Sequence, residues 1–118
     1  MSVAQAKVVI LVFAMPGCPA CHEYLPRLYQ HIDMAQKAGN PLVLYSDNMI
    51  VGRDIVPVVV LNSQSTDPQL QALCDQHNIT ALPTTIVLPR WGMPTRYDGA
   101  LSDADIRDMF ANACSLAR

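Results

Sequence analysis

Cys18 and Cys21 are separated by two residues and followed at once by a histidine, in the string Cys18-Pro19-Ala20-Cys21-His22. Three chemistries use such a string: c-type haem attachment, part of a zinc site, or a dithiol that makes and breaks disulfides. Haem attachment needs a second axial ligand and a haem-sized cavity around a loop, and a helix starting at the cysteines argues against it. Zinc needs four ligands. Cys18, Cys21 and His22 supply three, the fourth would have to be Cys74 or His77, and no second close pair exists in the chain. Disulfide exchange needs only two thiols of unequal character, one available to attack and one protected to resolve.

The elements around the pair supply that inequality. Val8 to Ala14 is an apolar, β-branched run that reads as a buried strand, and Met15-Pro16-Gly17 makes a turn. A helix is expected to begin near Cys18, with Pro19 in its first turn, where a missing N–H costs nothing. Cys18 then sits at the helix mouth, where first-turn N–H groups and the macrodipole favour a thiolate, so its pKa is expected to fall and its sulfur to be exposed. Cys21 falls one turn deeper on an apolar face with Leu25, Leu28, Ile32 and Ala35. Pro26 interrupts this helix and Gly39 ends it.

Further along, Val56 to Asn62 reads as a second buried strand. Asp67 and Pro68 cap and open a helix that ends near Asn78. Thr84 to Leu88 and the segment from Met93 to Asp98 form a hairpin around Pro89-Arg90-Trp91-Gly92. Ser102 and Asp105 form a capping box before a last helix whose core face is Ile106, Met109, Phe110 and Ala113. Residues 40–55 are apolar in pieces too short to assign. The order βαβαββα predicts an α/β fold: a mixed four-stranded sheet with right-handed parallel crossovers, an antiparallel edge and helices on both faces.

Bulk properties narrow the classes. The chain has 118 residues, enough for a single domain over 1–118 with its own core. A net charge of −2 without a basic block gives no support to nucleic-acid binding. The apolar run near the start is too short to span a membrane and has no small-residue cleavage site after it, so a cytoplasmic protein without membrane association is expected. Two isolated cysteines, Cys74 and Cys114, do not make a disulfide framework and read as core thiols.

Four stretches together resemble the thioredoxin superfamily, and thioredoxin more than glutaredoxin. Val12 to Pro26 is similar to the family's strand, Cys-x-x-Cys and helix, with a proline five residues after the second cysteine. His77 to Leu88 resembles the segment around the family's cis-proline, which places that proline at Pro83. Arg90-Trp91-Gly92 resembles the turn of the final hairpin, and Gly99 to Phe110 the entry to the last helix. The chain departs from the pattern in five ways, one being Pro19-Ala20 between the cysteines where the family has Gly-Pro. The family's first strand and helix are lacking, Gly17 stands where a tryptophan precedes the first cysteine, residues 40–55 look inserted, and Val12 occupies the place of a buried acid.

The resemblance implies a thiol–disulfide oxidoreductase that reduces protein disulfides, with Cys18 as nucleophile and Cys21 as resolving thiol. It implies a substrate surface of Gly17, Pro19, Ala20, Leu82, Pro83 and Gly99, with Leu82 offering backbone groups to an extended peptide. A monomer without cofactor or metal, recharged by a thioredoxin-reductase-type donor, is the expected form. The alternative is a thioredoxin-fold binding subunit of a larger assembly with little redox turnover. Among the remaining residues, Tyr24 and Tyr29 read as surface aromatics of the first helix, His22 as a solvated side chain, and Trp91 as a cap on the core edge.

Overall fold

The computed structural model describes residue 3 and residues 5–118. Eight elements follow in order: β1 (Val8–Ala14), α1 (Pro19–Lys37), β2 (Leu42–Leu44), β3 (Val56–Asn62), α2 (Pro68–Gln76), β4 (Thr84–Pro89), β5 (Thr95–Asp98) and α3 (Asp103–Leu116). They build one five-stranded sheet in the order β2-β3-β1-β4-β5. β1 lies at its centre, parallel to β3 and antiparallel to β4. All seven residues of β1 are buried, as expected of a strand with neighbours on both edges and helices on both faces.

Alternation along β1 divides the core. Val8, Ile10 and Val12 face α1 and α3, where they meet Tyr24, Leu28, Ile32, Ile106, Met109 and Phe110. Val9, Leu11 and Phe13 face the other way, toward Leu70, Leu73 and Cys74 of α2. The layering is therefore helix–sheet–helix, and the α/β thioredoxin-like architecture holds.

The strand count is corrected from four to five. The fifth, β2, comes from the segment left unassigned in the sequence, and it pairs parallel with β3 through Leu42↔Val56 to Leu44↔Val58. Three residues are too few to show a period of two, so only the partner strand defines it. The rest of that segment packs on the α2 side, where Val51 is buried and Tyr45 and Met49 join the second core. Among the described residues, no strand or helix precedes β1.

Two expectations about aromatics are also corrected. Tyr24 is not a surface residue: it is fully buried. Trp91 does not cap the core, since it is 86% exposed at the β4–β5 turn. Tyr29 is exposed as read.

Candidate functional site

The C-terminal end of β1 feeds the Met15–Gly17 turn, which delivers Cys18 to the mouth of α1. Gly17 has φ +82°, a left-handed conformation that disfavours any side chain there. Cys18 is itself the N-cap of α1, in extended conformation, and Pro19 occupies the first helical position. The backbone N–H of Cys21 donates to Cys18 Sγ at 3.2 Å. The sulfur thus does what a serine or aspartate oxygen does at an ordinary helix start, and satisfies one of the orphan donors of the first turn.

Cys18, Cys21 and Ala14 form a small buried cluster bordered by Met15, Leu25 and Leu82. Both cysteines are free thiols. The expected exposure of Cys18 is corrected: it is 7% exposed against 1% for Cys21. The walls of this cluster, Met15 and Leu82, shelter its sulfur, which no sequence period reports. The order of access nevertheless stays as read, with Cys21 the more protected. Burial pushes the Cys21 thiol up, the neighbouring Cys18 sulfur adds to this, and the Met15 backbone pulls the other way.

Across from the pair lies the start of β4. The Leu82–Pro83 peptide bond is cis, and the Cys18 thiol points at the Leu82 carbonyl oxygen at 3.9 Å, a long and weak sulfur contact. Pro83 is buried and Leu82 half-buried. Gly99, with φ +90°, donates its N–H to the Pro83 carbonyl at 2.8 Å. Thr84 Oγ1 donates to the Ala81 carbonyl at 2.7 Å and also meets Asp98 Oδ1 at 3.2 Å. The residues singled out from sequence therefore fall into two groups: Gly17, Pro19 and Ala20 flank the cysteines at the turn and first residues of α1, with all three exposed, while Leu82 and Pro83 precede β4 and Gly99 follows β5.

His22 is exposed, as its solvated reading requires. Cys74 and His77 lie with the second core: Cys74 packs there, and the His77 ring stands 6.1 Å from that of Phe13. They are on the face of the sheet away from α1, where they cannot complete a four-ligand site with Cys18, Cys21 and His22. Among the described residues, no three His, Cys, Asp or Glu side chains converge into a cation site. Cys114 is buried in the first core, and burial raises its thiol pKa, as it does that of the half-buried Cys74.

The first core, on the α1 side of the sheet, is largely apolar. Val12 is fully buried, and its neighbour across the parallel pairing is Val60. A polar contact lies within this core, the hydrogen bond between Tyr24 Oη and Thr85 Oγ1, both fully buried. Thr85 is not singled out from sequence, and Tyr24 is read there only as a surface aromatic. The signal was present for Tyr24, which stands three residues after Cys21 and four before Leu28, on the stripe that faces the core.

The chain belongs to the thioredoxin-like family: the model of the thioredoxin-like domain matches residues 2–113. Solved thioredoxins share the fold. Mitochondrial thioredoxin 3 of Saccharomyces cerevisiae is 14% identical, with a TM-score of 0.64 over 93% of this chain and 82% of that one. Chloroplastic thioredoxin z is 16% identical, with a TM-score of 0.60 over 97% and 84%. Thioredoxin of Schistosoma mansoni is 23% identical, with a TM-score of 0.56 over 92% and 81%. Among curated proteins none matches the chain. A thioredoxin-like fold with a cysteine pair at the mouth of α1 supports an activity of the oxidoreductase kind.

Proposed function

We propose that this protein reduces disulfide bonds in polypeptides through the Cys18–Cys21 dithiol. The observation that carries the reading is the placement of Cys18 Sγ. It caps α1 by accepting from the Cys21 N–H at 3.2 Å and faces the Leu82 carbonyl at 3.9 Å. A helix N-terminus favours negative charge on the capping atom, and a half-buried backbone beside it gives an extended peptide groups to bond.

Cys18, as thiolate, attacks one sulfur of the substrate disulfide. The substrate S–S bond breaks, a mixed disulfide forms on Cys18, and the released substrate thiolate takes a proton from solvent. Cys21 then loses its proton and attacks Cys18 Sγ. The second substrate thiol departs, the Cys18–Cys21 disulfide forms, and two electrons have passed to the substrate. An external dithiol of the thioredoxin-reductase type returns the pair to its reduced state. We place Gly17, Pro19, Ala20, Leu82, Pro83 and Gly99 at the substrate surface, and the protein in the cytoplasm as a monomer.

Val12 favours a second reading, a binding subunit with little turnover. The buried Val12, at the position where the family resemblance implies an acid, provides no group to take the Cys21 proton, and burial already raises that pKa. Insulin reduction with dithiothreitol separates the two. Turnover by the wild type that disappears in Cys18→Ser supports the reductase. A folded protein without turnover supports the binding subunit.

A further inference from the structure

A cavity of about 360 Å³ opens beside the dithiol on the side away from Pro83. Its walls are Ala14 and Met15 at the end of β1, Cys21 and Leu25 of α1, and Val60 and Leu61 of β3. Four of these residues, Ala14, Met15, Cys21 and Leu25, also belong to or border the cluster that holds Cys18. Polar side chains enter only as Asn62 and His22, both exposed. The size suits one large side chain and lies at the lower end of ligand pockets.

We infer that this cavity receives an apolar side chain of the substrate polypeptide next to the attacked cysteine, so that the enzyme prefers disulfides flanked by large aliphatic residues. The inference rests on the disulfide-reductase reading above. In the mixed disulfide the substrate chain is tethered to Cys18. The backbone of Leu82 stands on the β4 side of that sulfur, and the cavity on the β3 side, with β1 between the two strands. A peptide bonded at Leu82 and tethered at Cys18 therefore carries its neighbouring residue toward the cavity. Because Cys21 is one wall, an occupying side chain also excludes water from the sulfur that must next react. Burial of an aliphatic side chain in such a pocket is worth about tenfold or more in discrimination.

The test uses two symmetric peptide disulfides, Gly-Leu-Cys-Leu-Gly and Gly-Ser-Cys-Ser-Gly, each oxidised to its dimer, with the full chain kept reduced by dithiothreitol. The wild type is expected to show a kcat/KM ratio for the Leu over the Ser peptide of at least about tenfold. Ala14→Leu and, separately, Val60→Phe fill the cavity and should bring that ratio below about threefold, a comparison in which any general loss of activity cancels. Equal wild-type rates with the two peptides overturn the inference and leave the cavity to a small apolar molecule or a second copy, while the reductase reading stands. A retained preference in both filled variants overturns it too. Reduction of neither peptide by the wild type removes the reductase reading, and the inference with it.

Discussion

The hydroxyls of Tyr24 and Thr85 lie 2.9 Å apart with both side chains fully buried. Tyr24 stands one helical turn beyond Cys21. Thr85 stands two residues beyond Pro83 and directly opposite Val12 in the antiparallel pairing of β1 and β4. One hydrogen bond therefore ties the helix that carries the dithiol to the strand that follows the cis-proline. It does so in the core that also holds Val12, whose own side chain adds no polar group. Burial raises the Tyr24 pKa, with the Thr85 hydrogen bond pulling the other way, so the pair is held as a neutral phenol and a neutral alcohol.

Removing one member of that pair leaves the other without its side-chain partner. Tyr24→Phe is expected to cost about 1–3 kcal/mol in stability. The double change Tyr24→Phe with Thr85→Val should cost less than the sum of the two single changes, since no polar group is then orphaned. Urea unfolding of the three variants measures the coupling, and strict additivity contradicts it.

Resolution of the mixed disulfide should depend on pH through Cys21. The thiolate is the nucleophile, and burial, the largest cause of the raised Cys21 pKa, does not require a free Cys18. The resolving rate should therefore be slow at neutral pH and climb as pH rises. Val12→Asp restores a carboxylate where the family resemblance implies one and is expected to speed resolution near neutrality. It should also lower stability by an amount on the order of a few kcal/mol, because it buries a polar group without a prepared partner. Single-turnover decay of a mixed disulfide across pH tests both statements. Fast resolution below pH 7 in the wild type, unchanged in Val12→Asp, assigns the proton to another group.

The two thiols should behave differently when each is removed. Cys21→Ser deletes the resolving step and should accumulate mixed disulfides with peptide substrates. Cys18→Ser should accumulate none. Mass spectrometry under non-reducing conditions reads the outcome, and equal trapping by both variants contradicts the division of labour.

Acid should weaken the fold through His77. Burial lowers the His77 pKa from its ordinary 6.5 and the nearby Arg96 charge adds to it. Its Nε2 is buried without a hydrogen-bond partner among the described residues. A histidine with a depressed folded pKa binds fewer protons folded than unfolded. Its contribution is therefore complete above the unfolded value and is lost as pH falls below it. His77→Phe keeps a ring beside Phe13 and removes the titration, so its urea midpoint should fall less between pH 7 and pH 5 than that of the wild type. Parallel slopes contradict the assignment.

Much of this architecture is readable from local signals because each element carries its own. The continuous apolar run of β1, Pro19 after Cys18, Asp67 before Pro68 and Ser102 before α3 mark elements without help from their neighbours. Ser102 Oγ accepts from the Asp105 N–H at 3.2 Å and Asp67 Oδ1 from the Gln69 N–H at 2.9 Å, both within the first turn. What stayed illegible depends on partners distant in sequence. β2 exists only because β3 pairs with it. The shelter over Cys18 comes partly from Leu82, 64 residues away. Tyr24 looks amphipathic until Thr85, 61 residues on, accepts or donates its hydroxyl bond. Trp91 differs for the opposite reason, since none of the described residues covers it.

The most direct measurement is a redox titration of the whole chain in glutathione buffers of graded potential, with acid quenching, alkylation and mass analysis. A working dithiol predicts a single reversible two-electron transition in which Cys18 and Cys21 alone lose their alkylation together, with no lasting glutathione adduct. A pair that remains fully alkylated across the range, or that stops at a stable glutathione adduct on Cys18, contradicts the proposal that these two cysteines cycle.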